Sequence, residues 1–123
     1  CILEEKAKEW FDMGILKKSP HMMYAVKAKA KAKKLIPSIV HKDNTCRVQT
    51  VSKKENPFIY KLLVEFNKKT KVPVLMNTSF NLKGKPIVET PQDALETLRQ
   101  SKLEYAFFPE TKDLIFIENF NPY

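Results

Sequence analysis

Between Val72 and Met76 the chain runs through unbroken apolar residues, then turns polar at Asn77, Thr78, Ser79 and Asn81, with Lys83 and Gly84 close behind. These polar side chains are short and carry both donors and acceptors. Each Asn offers an amide nitrogen and a carbonyl oxygen, and each hydroxyl rotates to suit its partner. Such a set can grip a small, planar polar group such as a carbamoyl or carboxyl. It lacks the Gly-x-x-x-x-Gly-Lys pattern of a Walker-type phosphate loop. Gly84 is one of only two glycines in 123 residues, where average usage would give about nine, so it marks a place where the backbone needs a glycine and where an amide can come close to a ligand. If the chain stays extended, the two-residue period of a strand sets Asn77, Ser79 and Asn81 on one side, with Thr78 and Phe80 on the other. The same residue types also satisfy an ordinary hydrogen-bonded loop that binds nothing.

Charge supplies another candidate. Lys and Arg number 22 against 14 Asp and Glu, a net charge of +8, and only Arg47 and Arg99 are arginine. A basic chain favours anionic partners, whether nucleic acid, nucleotide phosphates or a membrane surface, although a well-solvated lysine surface explains most of these charges. In a chain that so consistently uses Lys, Arg47 suggests a need for planar, bidentate hydrogen bonding. Lys83 and Lys85 would contact phosphate, or serve as solvated loop lysines. Cys46, beside Arg47, reads as a small buried strand residue and not as a nucleophile, and no residue is assigned as catalytic. His21 and His41 have no carboxylate pattern around them, so no metal site is expected. Cys1 and Cys46 form no spaced framework, which fits a reducing, cytoplasmic setting. No apolar stretch approaches the roughly 20 residues of a membrane span, and no membrane partner is expected.

These residues must be held by a fold. Leu3, Ala7, Trp10 and Phe11 recur at helical spacing and predict a short amphipathic helix stopped by Gly14. Residues 22–29 read as a strand after a Ser19-Pro20 turn, residues 30–44 as a short helix and a loop, and residues 46–51 as a strand. Asn56-Pro57 and Thr90-Pro91 start two helices. In the first of these, Phe58, Leu62 and Phe66 line one stripe, with Ile59 and Leu63 beside it. In the second, Asp93 completes a capping-box pattern and Ala94, Leu95 and Leu98 face inward. The run 72–77, apolar on both faces, predicts an interior strand covered by helices. Strands near 104–108 and 113–118 close the domain. Helices interspersed with strands predict an α+β (α/β-like), partly parallel sheet in one unit of residues 1–123, with ligands collecting at the carboxyl ends of strands.

Several stretches together carry a resemblance: "SPHM" (19–22), "HKDNTCRVQTV" (41–51), "NP" (56–57) and "VPVLMNTSFNLKGKPIVETPQDAL" (72–95). In order and spacing, over nearly the whole chain, they resemble the C-terminal domain of the O-carbamoyltransferases, the family of nodulation, aminoglycoside and cephamycin carbamoyltransferases. Within it "TSFNLKGKP" is similar to the Ser-x-Asn-x-x-Gly-x-Pro segment of YrdC-type threonylcarbamoyl-adenylate synthases. The resemblance implies a YrdC-like twisted mixed sheet with packed helices. It also implies a two-domain enzyme, in which this domain joins carbamoyl phosphate and ATP into carbamoyl-adenylate. A metal-containing N-terminal domain would then pass the carbamoyl group to a substrate hydroxyl. On that reading Arg47, Asn77, Thr78, Ser79, Asn81, Lys83 and Gly84 bind the carbamoyl end and the nearby phosphate. ATP is then a substrate, and any metal belongs to the other domain.

The chain departs from the family where it begins. Relatives carry a basic stretch with a Phe-Arg-Pro-Phe-Ala-Pro-like end just before the part that matches "ILEEKAKEWFD". The expectation is a domain truncated on its N-terminal side, lacking its metal-binding partner domain and inactive in isolation. A sheet edge or face left open in this way leads to dimerisation or aggregation. Two rival readings, a basic nucleic-acid-binding module and a non-catalytic interaction domain, explain fewer residues. RNA-reading surfaces add exposed aromatics and Arg to their Lys, whereas the aromatics here mostly fit apolar stripes, so no nucleic-acid partner is expected.

Overall fold

The chain, seen here as a computed structural model describing residues 1–117, starts its two longest helices where the Asn-Pro and Thr-Pro pairs stand. In order, its elements are β1 (Ile2–Leu3), α1 (Ala7–Trp10), β2 (Phe11–Asp12), β3 (Ala25–Ala28), α2 (Ala30–Leu35), β4 (Thr45–Arg47) and β5 (Thr50–Val51). They continue with α3 (Pro57–Thr70), α4 (Pro91–Gln100), β6 (Tyr105–Phe108) and β7 (Asp113–Phe116). At α3 the Asn56 side chain accepts from the Ile59 amide at 3.0 Å. Pro57 sits at the first helical position, where its missing N–H leaves nothing unpaired. At α4 the Thr90 hydroxyl accepts from the Asp93 amide at 3.2 Å, and the Asp93 carboxylate accepts from the Thr90 amide at 3.0 Å. This reciprocal box satisfies two backbone donors at the Thr90 end of the helix.

The chain divides into two compact units, Cys1–Asn77 and Thr78–Tyr123. The first unit holds an antiparallel sheet in the order β2-β3-β4, with Phe11 opposite Ala28 and Val26 opposite Cys46. It also holds a parallel pair, β1 and β5, that sets Ile2 beside Thr50. The second unit holds α4 and the antiparallel hairpin β6–β7, with Tyr105 opposite Phe116. The class is the expected α+β, carried by small sheets. Among the described residues no helix is long and apolar enough to cross a membrane.

Three elements differ from expectation. The predicted N-terminal helix shrinks to α1 and a preceding 3₁₀ turn, while Ile2–Leu3 and Phe11–Asp12 pair as strands. Leu3, Ala7, Trp10 and Phe11 are nevertheless all buried, so the apolar spacing reports burial, and backbone pairing at both ends overrides helix formation. Gly14, with φ 51°, forms a turn after β2 in which its amide donates to Asp12 at 3.2 Å. The strand expected at 46–51 is shared between two sheets, because the chain leaves β3 after Arg47 and joins β1 at Thr50. The run 72–77 bridges β1 only at Val74, and Met76 is 64% exposed. Pro73 has no N–H to extend a ladder, so this run is a short edge segment and not an interior strand. Of the strand expected at 113–118, β7 occupies Asp113–Phe116, and residue 118 lies outside the described residues.

The first unit's larger core gathers Trp10, Phe11, Met13, Val26, Cys46 and Val74. A smaller one sets Leu63 of α3 against Leu3 and Val51, with Ile59 and Leu75 partly buried beside them. Phe58 and Leu62, read as part of the apolar stripe, are each 46% exposed, whereas Leu63, read as flanking it, is fully buried. Leu63→Ala therefore lowers the unfolding free energy of the chain by about 2–5 kcal/mol in urea titrations, against about 1 kcal/mol or less for Leu62→Ala. Equal losses would mean that α3 is rotated from the orientation described.

Between α2 and β4 the chain turns on Asp43, whose carboxylate accepts from the Thr45 hydroxyl at 2.7 Å and the Thr45 amide at 2.9 Å. The hydroxyl bond first, and then the amide bond, hold the Asp43 carboxyl below its ordinary pKa. A carboxyl lowered on folding contributes stability above its unfolded value and loses it as pH falls through the folded one. Thr45→Val removes the stronger contact at nearly constant volume, so the Asp43 carboxyl titrates closer to its ordinary value. Carboxyl-carbon NMR of the two proteins reads the difference, and identical titrations would contradict it.

Candidate functional site

Arg47 ends β4 opposite Ala25, exposed, with its Nε donating to the Met22 carbonyl at 3.1 Å. Met22 takes φ 54°, which belongs to the left-handed region. With Nε committed, the two terminal nitrogens of Arg47 have no protein acceptor among the described residues, and the planar fork stays open to a ligand. Asn77, the last residue of the first unit, donates through Nδ2 to Gln49 Oε1 at 3.3 Å and approaches Met22 Sδ at 3.6 Å. Arg47 and Asn77 line one cleft of about 260 Å³, together with His41, Met22, Leu75 and Met76.

His41 has a defined orientation there. Its Nδ1 lies 3.2 Å from the Thr45 hydroxyl oxygen, whose own proton goes to Asp43. The hydroxyl must therefore accept, so Nδ1 carries the hydrogen, and in the neutral ring Nε2 is left as an acceptor. Asn77 and Gln49 also border a second cleft, of about 430 Å³, with Pro20, His21, Glu55 and Asn56.

The remaining predicted residues belong to the second unit. Thr78 and Ser79 are exposed, and the Ser79 hydroxyl donates to Asn81 Oδ1. Asn81 Nδ2 donates in turn to the Lys85 carbonyl at 2.8 Å. Lys83 and Gly84 form an exposed turn closed by the Lys85 amide on the Leu82 carbonyl at 3.0 Å. Gly84 takes φ +81° with open space where a Cβ would stand, so backbone conformation and not crowding calls for glycine. The extended alignment of Asn77, Ser79 and Asn81 does not form, because Phe80 takes φ 45° and breaks the two-residue period. The structure thus brings Arg47 together with Asn77, and Ser79 together with Asn81.

Ser79 and Phe80 border a cleft of about 720 Å³ with Thr90, Tyr105, Phe107 and Phe108. A neighbouring one of about 320 Å³ is lined by Lys85 and by three carboxylates, Glu89, Asp93 and Glu96, a balance that disfavours phosphate. Burial pushes the Cys46 thiol pKa up, which keeps it neutral and unreactive. Among the described residues no group of three or more His, Cys, Asp or Glu side chains could hold a metal ion. His41 and Gln49 were missed as site residues, although the two-residue period of "RVQ" already places Gln49 on the same side of the strand as Arg47.

Comparison with known proteins gives the same family as the sequence motifs. Residues 1–112 match the family described as "Carbamoyltransferase C-terminus". The nodulation protein NolO of Bradyrhizobium diazoefficiens is 37% identical over 103 residues, covering 83% of this chain and 19% of that protein. Nodulation protein NolNO of Sinorhizobium fredii is 36% identical over 104 residues, 84% of this chain and 15% of its own length. An uncharacterised protein of Methanocaldococcus jannaschii is 37% identical over 106 residues, 86% of this chain and 17% of its own length. The chain thus spans less than a fifth of the length of these relatives. With its matched region running from Cys1 through Arg47, Asn77 and the polar turn to residue 112, the chain belongs to the carbamoyltransferase C-terminal family.

Proposed function

We propose that this chain is the part of an O-carbamoyltransferase that forms or holds carbamoyl-adenylate, made from ATP and carbamoyl phosphate, for transfer to a substrate hydroxyl. The observation that carries the reading is the cleft in which the open guanidinium fork of Arg47 and the Asn77 amide stand together. A carbamoyl group has oxygen acceptors for the fork and an amino group for an amide oxygen. The overall step consumes one water: carbamoyl phosphate, ATP and water give carbamoyl-adenylate, pyrophosphate and inorganic phosphate. The chain's side chains contribute orientation and neutralisation of oxygens, which is what a displacement at phosphorus needs more than a protein nucleophile.

In the second unit, Thr78, Ser79 and Asn81 offer polar atoms, Lys83 a charge, and Gly84 an accessible backbone, all suited to nucleotide phosphate. His41 lies beside Arg47 in the cleft lining and offers Nε2 to the same ligand. Cys1 and Cys46 are free thiols, in keeping with a cytoplasmic setting. The metal chemistry of transfer belongs to a separate N-terminal domain on this reading, and the 123-residue chain alone makes no carbamoyl-adenylate.

Pyrophosphate release dependent on carbamoyl phosphate, measured on the protein at its full natural length, tests the assignment. Arg47→Lys keeps the charge and loses the planar pair of donors, so the rate falls about tenfold or more, the scale of a hydrogen bond to a charged group. Asn77→Ala acts at the same step, and the double variant loses less than the product of the two effects. Thermal melts stay within a few degrees of wild type, because both side chains are exposed. Wild-type rates in Arg47→Lys, or melting points that collapse in proportion to activity, would overturn the assignment.

A further inference from the structure

Asn77 reaches its orientation through a chain of hydrogen bonds whose polarity is set at one end. The Pro20 carbonyl oxygen can only accept, so the Gln49 atom 3.1 Å from it is the amide nitrogen Nε2. Gln49 thereby presents Oε1 to Asn77, and the Asn77 atom facing it at 3.3 Å is Nδ2. The Met22 sulfur, a weak acceptor, lies 3.6 Å from that same nitrogen. Asn77 Oδ1 is left with no protein donor among the described residues.

We propose that Gln49 is a positioning residue, which relays the acceptor character of the Pro20 carbonyl to Asn77 and so fixes Oδ1 as the open acceptor of the Arg47 cleft. This rests on reading that cleft as the carbamoyl site and assigns Oδ1 to the ligand's amino group. An Asn amide left to itself turns over readily, since its two ends are nearly equal in size. A reversed Asn77 would bring a second set of N–H donors beside the Arg47 fork and leave the ligand's amino hydrogens without an acceptor. Gln49 prevents the reversal, because turning Asn77 would set oxygen against oxygen at Gln49, and turning both would set oxygen against oxygen at Pro20.

Two variants test the relay. Gln49→Leu keeps the bulk and removes both bonds, whereas Gln49→Glu sets a carboxylate oxygen against the Pro20 carbonyl oxygen, so the side chain turns away from Pro20 and gives up the position from which it holds Asn77. In the protein at its full natural length, each raises KM for carbamoyl phosphate about fivefold with kcat within about twofold, as loss of one oriented hydrogen bond to substrate predicts. In an Asn77→Ala background neither variant raises KM further, because Gln49 acts only through Asn77. In the 123-residue chain labelled with nitrogen-15, the Asn77 side-chain amide pair shifts in both variants. Wild-type KM, a rise just as large without Asn77, or an unmoved Asn77 amide signal would each overturn the proposal. Should the wild-type protein show no turnover dependent on carbamoyl phosphate, the functional reading fails, and the Asn77 amide signal still decides whether Gln49 holds it.

Discussion

Ser19 and Thr50 are each 2% exposed, the two fully buried polar side chains among the described residues, and they tie the loop before β3 to the point where the chain changes sheets. The Ser19 amide donates to the Thr50 hydroxyl at 2.8 Å, the Ser19 hydroxyl to the Val48 carbonyl at 2.9 Å, and the Thr50 amide to the Ser19 carbonyl at 2.9 Å. A buried hydroxyl without a partner costs about 1–3 kcal/mol, so this set is held together or the crossing fails. With residues 19 and 48–50 locked, the neighbouring carbonyls of Pro20 and Met22 lie within reach of Gln49 and Arg47. The loop anchored by the strand thus aims the strand's own side chains. A staple made for packing also sets the geometry of the candidate site.

Signals confined to a few neighbouring residues were legible in the sequence. Asn56-Pro57 and Thr90-x-x-Asp93 specify helix starts because both the cap and its target lie within one turn. The hairpin strands β6 and β7 and the α+β class were readable for similar local reasons. Burial of Leu3, Ala7, Trp10 and Phe11 was readable too, but not their conformation, since whether a backbone pairs depends on a partner distant in sequence. The Ile2 amide donates to the Gln49 carbonyl, 47 positions away. The break in the polar turn was equally invisible, for a left-handed Phe80 carries no sequence mark of the kind Gly84 does. Arg47 stood out by composition alone. Gln49 did not, because its role comes from the bonds on either side of it and not from its type.

The basic character of the chain is spread over its surface. Lys31 stacks over Trp10 at 4.6 Å and approaches Glu9 at 4.0 Å, and Lys18 and Lys68 pair with Glu55 and Glu65. The ion pairs are exposed, screened by solvent and salt, so they contribute solubility more than architecture. The larger stabilisation lies in the apolar clusters around Trp10 and Leu63. In the second unit Ala94 and Leu98 are buried, whereas Tyr105, Leu114 and Phe116 of the hairpin are more than half exposed, so burial there is concentrated on α4.

Net charge and local polarity therefore do different work in this molecule. A charge of +8 raises the rate at which anions arrive, yet it cannot tell a carbamoyl group from a carboxylate or a phosphate, all of which present oxygen to a cation. Discrimination needs a donor and an acceptor at fixed separation, and an acceptor is the scarcer thing in a chain so rich in lysine. Two residues that line the Arg47 cleft carry acceptors left over from their own hydrogen bonds, Asn77 through Oδ1 and, in the neutral ring, His41 through Nε2. Each is fixed in turn by a neighbour whose own hydrogen bonding is already decided: Gln49 by the Pro20 carbonyl, and Thr45 by the Asp43 carboxylate. The acceptors thus derive their orientation from atoms that can never donate, a carbonyl in one case and an ionised carboxylate in the other. Selectivity in such a cleft comes from how these neighbours are bonded, which is why the adjacent residues Gln49, Thr45 and Asp43 matter as much to it as the side chains that line it.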